Sequence, residues 1–344
     1  MATNRRIILA EYANGINPTE KNFELLRYDV PSPRPGEVLL KTLYLSVDPY
    51  MRGCMTGVEG YYYPQFPLGQ SIVSNGVAQV VESKHPLFHP GELVEGLMAW
   101  QDFSVSDGAG ELSEGKGLRK VNQNIKKLSH AVGILGMPGM NAYFGMLEVA
   151  RPKHGEIVLI SGATGAIGSA AGQIAKLLGA RVIGLAGSPE KIQLLQRELG
   201  FDLALNYKSP QLSEEIKAAC PNGPDVYFDN IGGQISQTVM WTMHHPARVI
   251  ECGQISTYNE TDGGWLVNIW PIHVNQLRLE SFVGYSYAEF FPAGIAQMAH
   301  WIEQERLKSI ETEVEGLEKA PQAFLGLFRS ANIGKAIVKV GGEV

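Results

Sequence analysis

The order of apolar and polar positions changes character along the chain. The first third carries short apolar runs at residues 6–10, 37–45, 76–82 and 92–97, broken by glycine and proline. Pro31, Pro33, Pro35 and Gly36 separate the second run from the segment before it, as turn chemistry does. This predicts the strands of a barrel-like or sandwich β domain. In the middle third, Ile157–Ile160 is continuously apolar, the mark of a strand buried on both faces. A glycine turn and a helix through Ala175 and Leu178 follow. Further strands are predicted at 180–185, 202–205, 226–228 and Arg248–Glu251, with helical stretches between them. One helix opens at Pro189 behind Ser188, a suitable N-cap. Such alternation implies βαβ units, a parallel sheet and right-handed crossovers. Near the end, Ile295, Met298, Ala299 and Ile302 keep helical spacing, as do Leu317, Phe324, Leu325 and Phe328, and a strand closes the chain at 336–340. Periodicity leaves open whether that strand returns to the β domain. The fold class expected is α/β, a β domain plus a doubly wound parallel-sheet domain.

Composition narrows the function. With 344 residues, 44% apolar and 19% charged, the chain is long and apolar enough for two globular domains. Its 29 basic and 35 acidic residues give a net charge of −6, against a nucleic-acid-coating role. Cys54, Cys220 and Cys252 are odd in number and form no CxxC pair, which excludes a disulfide scaffold and a four-cysteine zinc site. Three reduced thiols are the expectation. Arg5 and Arg6 precede only four apolar residues before Glu11, too short a run for a signal peptide, so the cytoplasm is expected. Residues 157–175 carry no charge over 19 positions. Ser161, Gly162, Thr164, Gly165, Gly168 and Gly172 punctuate them, so they read as strand, turn and helix rather than a membrane span.

The turn Gly162-Ala163-Thr164-Gly165-Ala166-Ile167-Gly168 follows a strand and opens a helix, the context of a dinucleotide-binding fingerprint. One glycine permits the tight turn, one admits the pyrophosphate, and Gly168 lets helix pack on strand. The helix N-terminus presents N–H groups to phosphate. About twenty residues on, an NAD site wants an acidic side chain for the ribose. The chain has Gly187-Ser188-Pro189-Glu190-Lys191 there. Ser188 and Lys191 suit a 2′-phosphate, and Glu190 suits the first turn of a helix, so NADP is favoured over NAD.

Five further motifs accompany the turn: Val47-Asp48-Pro49-Tyr50-Met51-Arg52-Gly53; Leu135-Gly136-Met137-Pro138-Gly139 with Ala142-Tyr143; Asp229-Asn230-Ile231-Gly232-Gly233; Cys252-Gly253-Gln254-Ile255-Ser256-Thr257-Tyr258-Asn259; and Asn332-Ile333-Gly334-Lys335. With them the chain resembles the zinc-free medium-chain dehydrogenases/reductases. Within these it resembles the NADP-dependent alkenal double-bond reductases, the branch of prostaglandin reductases and bacterial curcumin reductases. The resemblance implies a GroES-like catalytic domain at 1–130, a Rossmann domain at 131–300 and a return to the first at 301–344. It implies NADPH as cofactor, with Gly165, Ala166, Ile167 and Gly168 at the pyrophosphate and Lys191 and Tyr207 at the 2′-phosphate, where the residue order already puts Ser188. Asn230, Cys252, Gly253, Ile255, Ser256, Phe282, Val283, Gly284 and Asn332 are implied near the nicotinamide. A homodimer is implied too. Gly162 departs from the alanine frequent in relatives. Residues 102–127, with Lys116, Arg119, Lys120, Lys126 and Lys127, are longer and more charged than expected and read as a solvated loop, one that could shape the cleft entrance.

No metal is expected. Zinc-dependent relatives use a Cys and a Gly-His-Glu run, where this chain has Gly69-Gln70-Ser71. His85 and His89 have helical spacing, but Pro86 and Pro90 argue for a loop. Alcohol oxidation through zinc is therefore disfavoured. A C=C bond conjugated to a carbonyl accepts hydride without a metal if a neutral donor meets the developing enolate. Tyrosine suits this, being protonated up to about pH 10, and Tyr258, in the loop after Arg248–Glu251, is the candidate. Tyr50, Arg52 and Tyr62 are candidate substrate contacts. Trp100, Trp265, Trp270, Tyr285 and the run Tyr61-Tyr62-Tyr63 are available to line a cleft for flat, curcumin-like enones. A small-molecule enone is thus the expected substrate. A zinc-free quinone reductase and a non-catalytic NADPH-binding protein are the alternatives.

Overall fold

Short apolar runs between glycine turns build antiparallel sheet in the first part of the chain. The computed structural model describes residues 3–342 except 16, 59–62, 110–116, 123–124 and 261–267. It divides into two units, Met1–Gly133 with Glu311–Asn332 and Ala336–Val344, and Ile134–Ile310 with Ile333–Lys335. In the first unit, β1 (Thr3–Leu9) pairs antiparallel with β2 (Phe23–Asp29). β3 (Val38–Ser46), β4 (Val73–Ser83) and β5 (Leu93–Ala99) form an antiparallel meander, joined by β6 (Phe103–Ser106) on β3 and β7 (Arg119–Lys120) on β5. Residues expected as loop thus contain two strands. Phe103–Ser106 pairs in register with Val38–Lys41, and two of the cations beyond it are paired, Arg119 with Glu95 at 3.2 Å and Lys120 with Glu92 at 2.6 Å. Lys116 lies outside the described residues. Trp100, offered above as a cleft aromatic, is instead core: it is wholly buried, stacks on Phe23 and donates its indole N–H to Ser74. His85 and His89 lie in a loop, where His85 Nδ1 accepts the N–H of Leu87.

The second unit alternates helix and strand: α1 (Met137–Phe144), β8 (Ile157–Ile160), α2 (Ala166–Leu177), β9 (Arg181–Ala186), α3 (Pro189–Arg197), β10 (Leu203–Asn206), α4 (Leu212–Ala219), β11 (Val226–Asp229), α5 (Gly233–Met240), β12 (Arg248–Glu251), α6 (Trp270–Val274), β13 (Arg278–Ser281) and α7 (Phe291–Glu303). The sheet order is β10-β9-β8-β11-β12-β13 with every pairing parallel. This is the doubly wound arrangement, and the order reverses between β8 and β11. Open α/β sheets bind ligands at that point, beyond the strands' carboxyl ends. Leu159, Ile183, Tyr227 and Val249 lie at the heart of a core cluster on this sheet.

After these elements, β14 (Glu311–Glu315), α8 (Ala320–Leu327) and β15 (Lys335–Lys339) complete the chain. β15 runs antiparallel to β3, placing Ile337 opposite Ser46 and Val338 opposite Leu45, so the closing strand does return to the β unit. No helix among the described residues is long and apolar enough to cross a membrane.

Small residues set the approach of α2 to the sheet. Ala170, Ala171, Gly172 and Ala175 are buried on it. A Cβ on Gly172 would lie 2.0 Å from the Phe201 ring, which is itself wedged against Gly184. Gly172→Ala is expected to destabilise the protein by about 1–3 kcal/mol through overpacking, read as a lower urea midpoint at unchanged m-value.

Candidate active site

Two turns at the carboxyl ends of β8 and β11 face each other across the switch point. Gly162, at φ +58°, starts the first. Gly165 N donates to Gly162 O at 2.8 Å, and Thr164 O accepts from Gly334 N at 2.7 Å, which pins the turn from its other side. A Cβ on Gly168 would meet Gly162 O at 2.4 Å, so only glycine lets the helix rise this close to its own turn. The N-cap of α2 is Gly165, which has no side chain to cap the first-turn N–H groups. Those groups suit an anion, and the open glycine surface suits a pyrophosphate. The geometry therefore fits the dinucleotide that the spacing predicts.

The second feature follows β9. Ser188 caps α3, its Oγ accepting from Lys191 N at 3.4 Å. Tyr207 follows β10, and its N–H is held by Ala186 O at 3.1 Å. Its hydroxyl lies so close to Gly187 that a Cβ there would stand 2.6 Å away. Lys208 Nζ is 5.9 Å from the centre of the Tyr207 ring. Burial and then the charge of Lys208 lower the pKa of Lys191. Two cations and two hydroxyls thus converge where a 2′-phosphate is expected, and an anion there would relieve the repulsion between the lysines. Lys208 was not singled out above; its only signal is its place beside Tyr207.

The third feature is a hydrogen-bonded hub. Asp229 ends β11 and is 4% exposed. Its Oδ1 accepts from Ser161 Oγ and Tyr227 Oη, each at 2.8 Å, and from the N–H groups of Ile231 at 2.9 Å and Gly232 at 3.1 Å. Ser236 Oγ donates to Oδ2. The backbone carbonyl of Asp229 accepts from Cys252 N at 2.8 Å and Gly253 N at 3.2 Å. One residue therefore fixes both the turn carrying Asn230 and the start of the loop after β12. Asn230 Nδ2 donates to Ser161 O at 2.8 Å, while its Oδ1 is buried without a hydrogen-bond partner, as is Gln254 Oε1. A carboxamide donor would satisfy such oxygens.

Tyr258 lies half-buried in that loop, and its Oη accepts from Gln254 N at 3.3 Å. Burial chiefly, with the charges of Glu251, Cys252 and Asp229, pushes its pKa up, opposed by the Gln254 bond. Ser256 Oγ donates to Ile231 O at 2.7 Å, tying the loop back to the turn. Phe282 packs against Phe228 and Gly145, and Gly284 against Asn141. Val283 is exposed. Burial pushes the thiols up, to about 12 for Cys54 and about 11 for Cys220, and also raises Cys252.

Tyr50, Arg52 and Asn332 belong to the first unit. Tyr50 packs on Tyr63, ring centres 4.4 Å apart. Arg52 is 1% exposed and donates from Nη2 to Ala13 O at 2.7 Å. Tyr61, Tyr62 and Trp265 lie outside the described residues, and Trp270 is exposed on α6. No group of three or more metal-ligating side chains is found among the described residues.

Comparison with known proteins finds relatives along nearly the whole chain. A family model described as the N-terminal domain of oxidoreductase matches residues 5–113, and one described as zinc-binding dehydrogenase matches residues 166–302. The 2-alkenal reductase (NADP(+)-dependent) of Nicotiana tabacum is 39% identical over 99% of this chain and 98% of its own. The NADPH-dependent curcumin reductase of Escherichia coli (strain K12) is 37% identical over 99% of this chain and 98% of its own. The crystal structure of CurA from Vibrio vulnificus in complex with NADPH aligns with a TM-score of 0.89 at 37% identity, covering 98% of this chain and 99% of that one.

Lys191→Ala is expected to weaken NADPH binding by about 1.5–3 kcal/mol, the scale of a charge-assisted hydrogen bond, and to leave NADH binding almost unchanged. Fluorescence titration with both cofactors reads this; equal losses remove the 2′-phosphate assignment.

Proposed function

The chain belongs to the zinc-free, NADP-dependent alkenal double-bond reductase branch of the medium-chain dehydrogenases/reductases, and from this we propose that it reduces the C=C bond of α,β-unsaturated ketones and aldehydes, with Tyr258 stabilising the enolate. It is an enzyme of the double-bond reductase type, and its cofactor is NADPH. When bound, NADPH supplies the hydride that goes to the substrate's β carbon. Curcumin-like enones are the substrates we favour.

The chain's own residues divide the remaining work. Gly165 to Gly168 take the pyrophosphate, and Ser188, Lys191 and Tyr207, with Lys208, take the 2′-phosphate. Asn230, the loop beginning Cys252-Gly253 and continuing through Ile255 and Ser256, the segment 282–284 and Asn332 surround the nicotinamide in this reading. Tyr258 donates its O–H to the carbonyl oxygen as negative charge gathers there. The N–H of Gln254, bonded to Oη, orients the phenol and eases the build-up of charge on it when it donates. A proton from Tyr258 or from water then completes the α carbon. The observation that carries the proposal is this phenol, half-buried, held by a backbone N–H and anchored to the Asp229 hub through its loop.

We also propose a homodimer formed along β13. Its outer edge has no partner strand among the described residues. Leu279 on it and Ile269, Trp270, Val274 and Phe290 near it in the chain are exposed apolar side chains. Unpaired edges with apolar surroundings invite a second copy. The three unpaired thiols suit the cytoplasm.

Tyr258→Phe is expected to lower kcat about 10²-fold with NADPH affinity retained, measured as NADPH consumption over small alkenals, cyclic enones, diarylheptanoids and quinones. Activity confined to quinones and indifferent to the substitution would replace this reading with a quinone reductase. Because the Tyr258 pKa is raised, the phenol stays protonated at alkaline pH. The wild-type kcat profile should therefore show no descending limb from this group below about pH 10. Analytical ultracentrifugation of Leu279→Glu should find monomer where the wild type is dimer.

A further inference from the structure

Asp229 and Glu251 are the last residues of neighbouring parallel strands and stand opposite each other in register. Asp229 is held only by neutral donors, three hydroxyls and two backbone N–H groups. No ion pair reaches either carboxyl group among the described residues. The charges that act on Glu251, Cys252 and Tyr258 are those of acidic neighbours. Asp229 raises Glu251, and Asp229 and Glu251 together raise Cys252 and Tyr258, each beyond the larger effect of burial. Gln254 donates its side-chain amide toward Glu251 and keeps a buried, unpartnered Oε1, and Asn230 keeps a buried, unpartnered Oδ1. Four oxygen-bearing side chains thus crowd the carboxyl ends of β11 and β12, with no described cation among them.

We propose that Asp229 and Glu251 set a negative potential at the nicotinamide site that favours the oxidised, cationic ring over the reduced, neutral one and so makes bound NADPH a stronger hydride donor. The inference rests on the placement of the nicotinamide beside Asn230 given above. When the hydride leaves the ring with its electron pair and joins the β carbon, the ring gains one positive charge and the substrate oxygen one negative charge. A unit charge about 10 Å away, at an effective dielectric near 20, shifts such an equilibrium about tenfold. The same potential opposes a bare oxyanion, which is why the partner for that oxygen is the neutral O–H of Tyr258. Asp229 and Glu251 act through this potential, with no contact to the reacting atoms assigned to them.

The test titrates NADP+ and NADPH separately into the full-length protein at pH 8.5, comparing wild type with Asp229→Asn, Glu251→Gln, Ser236→Ala and Asn230→Ala. Each acid variant should lose at least fivefold more affinity for NADP+ than for NADPH. Ser236→Ala, which loosens the hub but keeps its charge, should change both affinities alike. Equal changes for the two cofactor forms in a folded acid variant overturn the proposal. If Asp229→Asn does not fold, Glu251→Gln alone decides it. Asn230→Ala should weaken both forms; if it weakens neither, the nicotinamide placement fails, an outcome distinct from a failed field.

Discussion

A buried carboxylate with no counter-ion among the described residues organises the carboxyl ends of the parallel sheet. Burying Asp229 is tolerable only because five donors surround it and its own carbonyl takes two more N–H groups. Those donors come from β11, α5 and the turns that follow β8 and β11, so the requirement for satisfaction fixes their mutual positions. The turn with Asn230 and the loop with Tyr258 inherit their placement from one hydrogen-bonding centre. Removing a donor leaves a charge exposed to a low dielectric, which makes the arrangement close to all-or-none.

Close approach is the other constraint. Gly168 and Gly172 let α2 sit on its turn and on Phe201 at distances that no side chain permits. The glycine turn is therefore a packing device as well as a phosphate cradle. Gly334, at φ +70°, is crowded by the Ile310 carbonyl, and its N–H supports Thr164 from a distant part of the sequence.

Much of this was legible in the residue order because buried parallel strands are continuously apolar. β8, β9, β11 and β12 stand out for that reason, and Ser188 marks α3 by its capping chemistry. β13 did not, because an edge strand reading Arg-Leu-Glu-Ser has no apolar run to find. β6 was hidden in a stretch whose charges drew attention to solvent, although Arg119, Lys120 and Lys127 are held in ion pairs. Trp100 resembled a cleft aromatic because composition cannot separate a wall from a core. The hub was invisible for a deeper reason. Ser161, Tyr227, Asp229 and Ser236 follow no spacing rule, and only the pairing of β8 with β11 makes them neighbours. Lys208 lacked a motif for the same reason.

The three cysteines acquire a meaning from the chemistry proposed here. Conjugated alkenals are electrophiles that alkylate sulfur, and the attacking species is the thiolate. Burial holds Cys54, Cys220 and Cys252 in the un-ionised form, the last of them in the very loop that carries Tyr258. In that chemistry the enzyme meets such compounds with thiols rather than thiolates, the less nucleophilic form of sulfur.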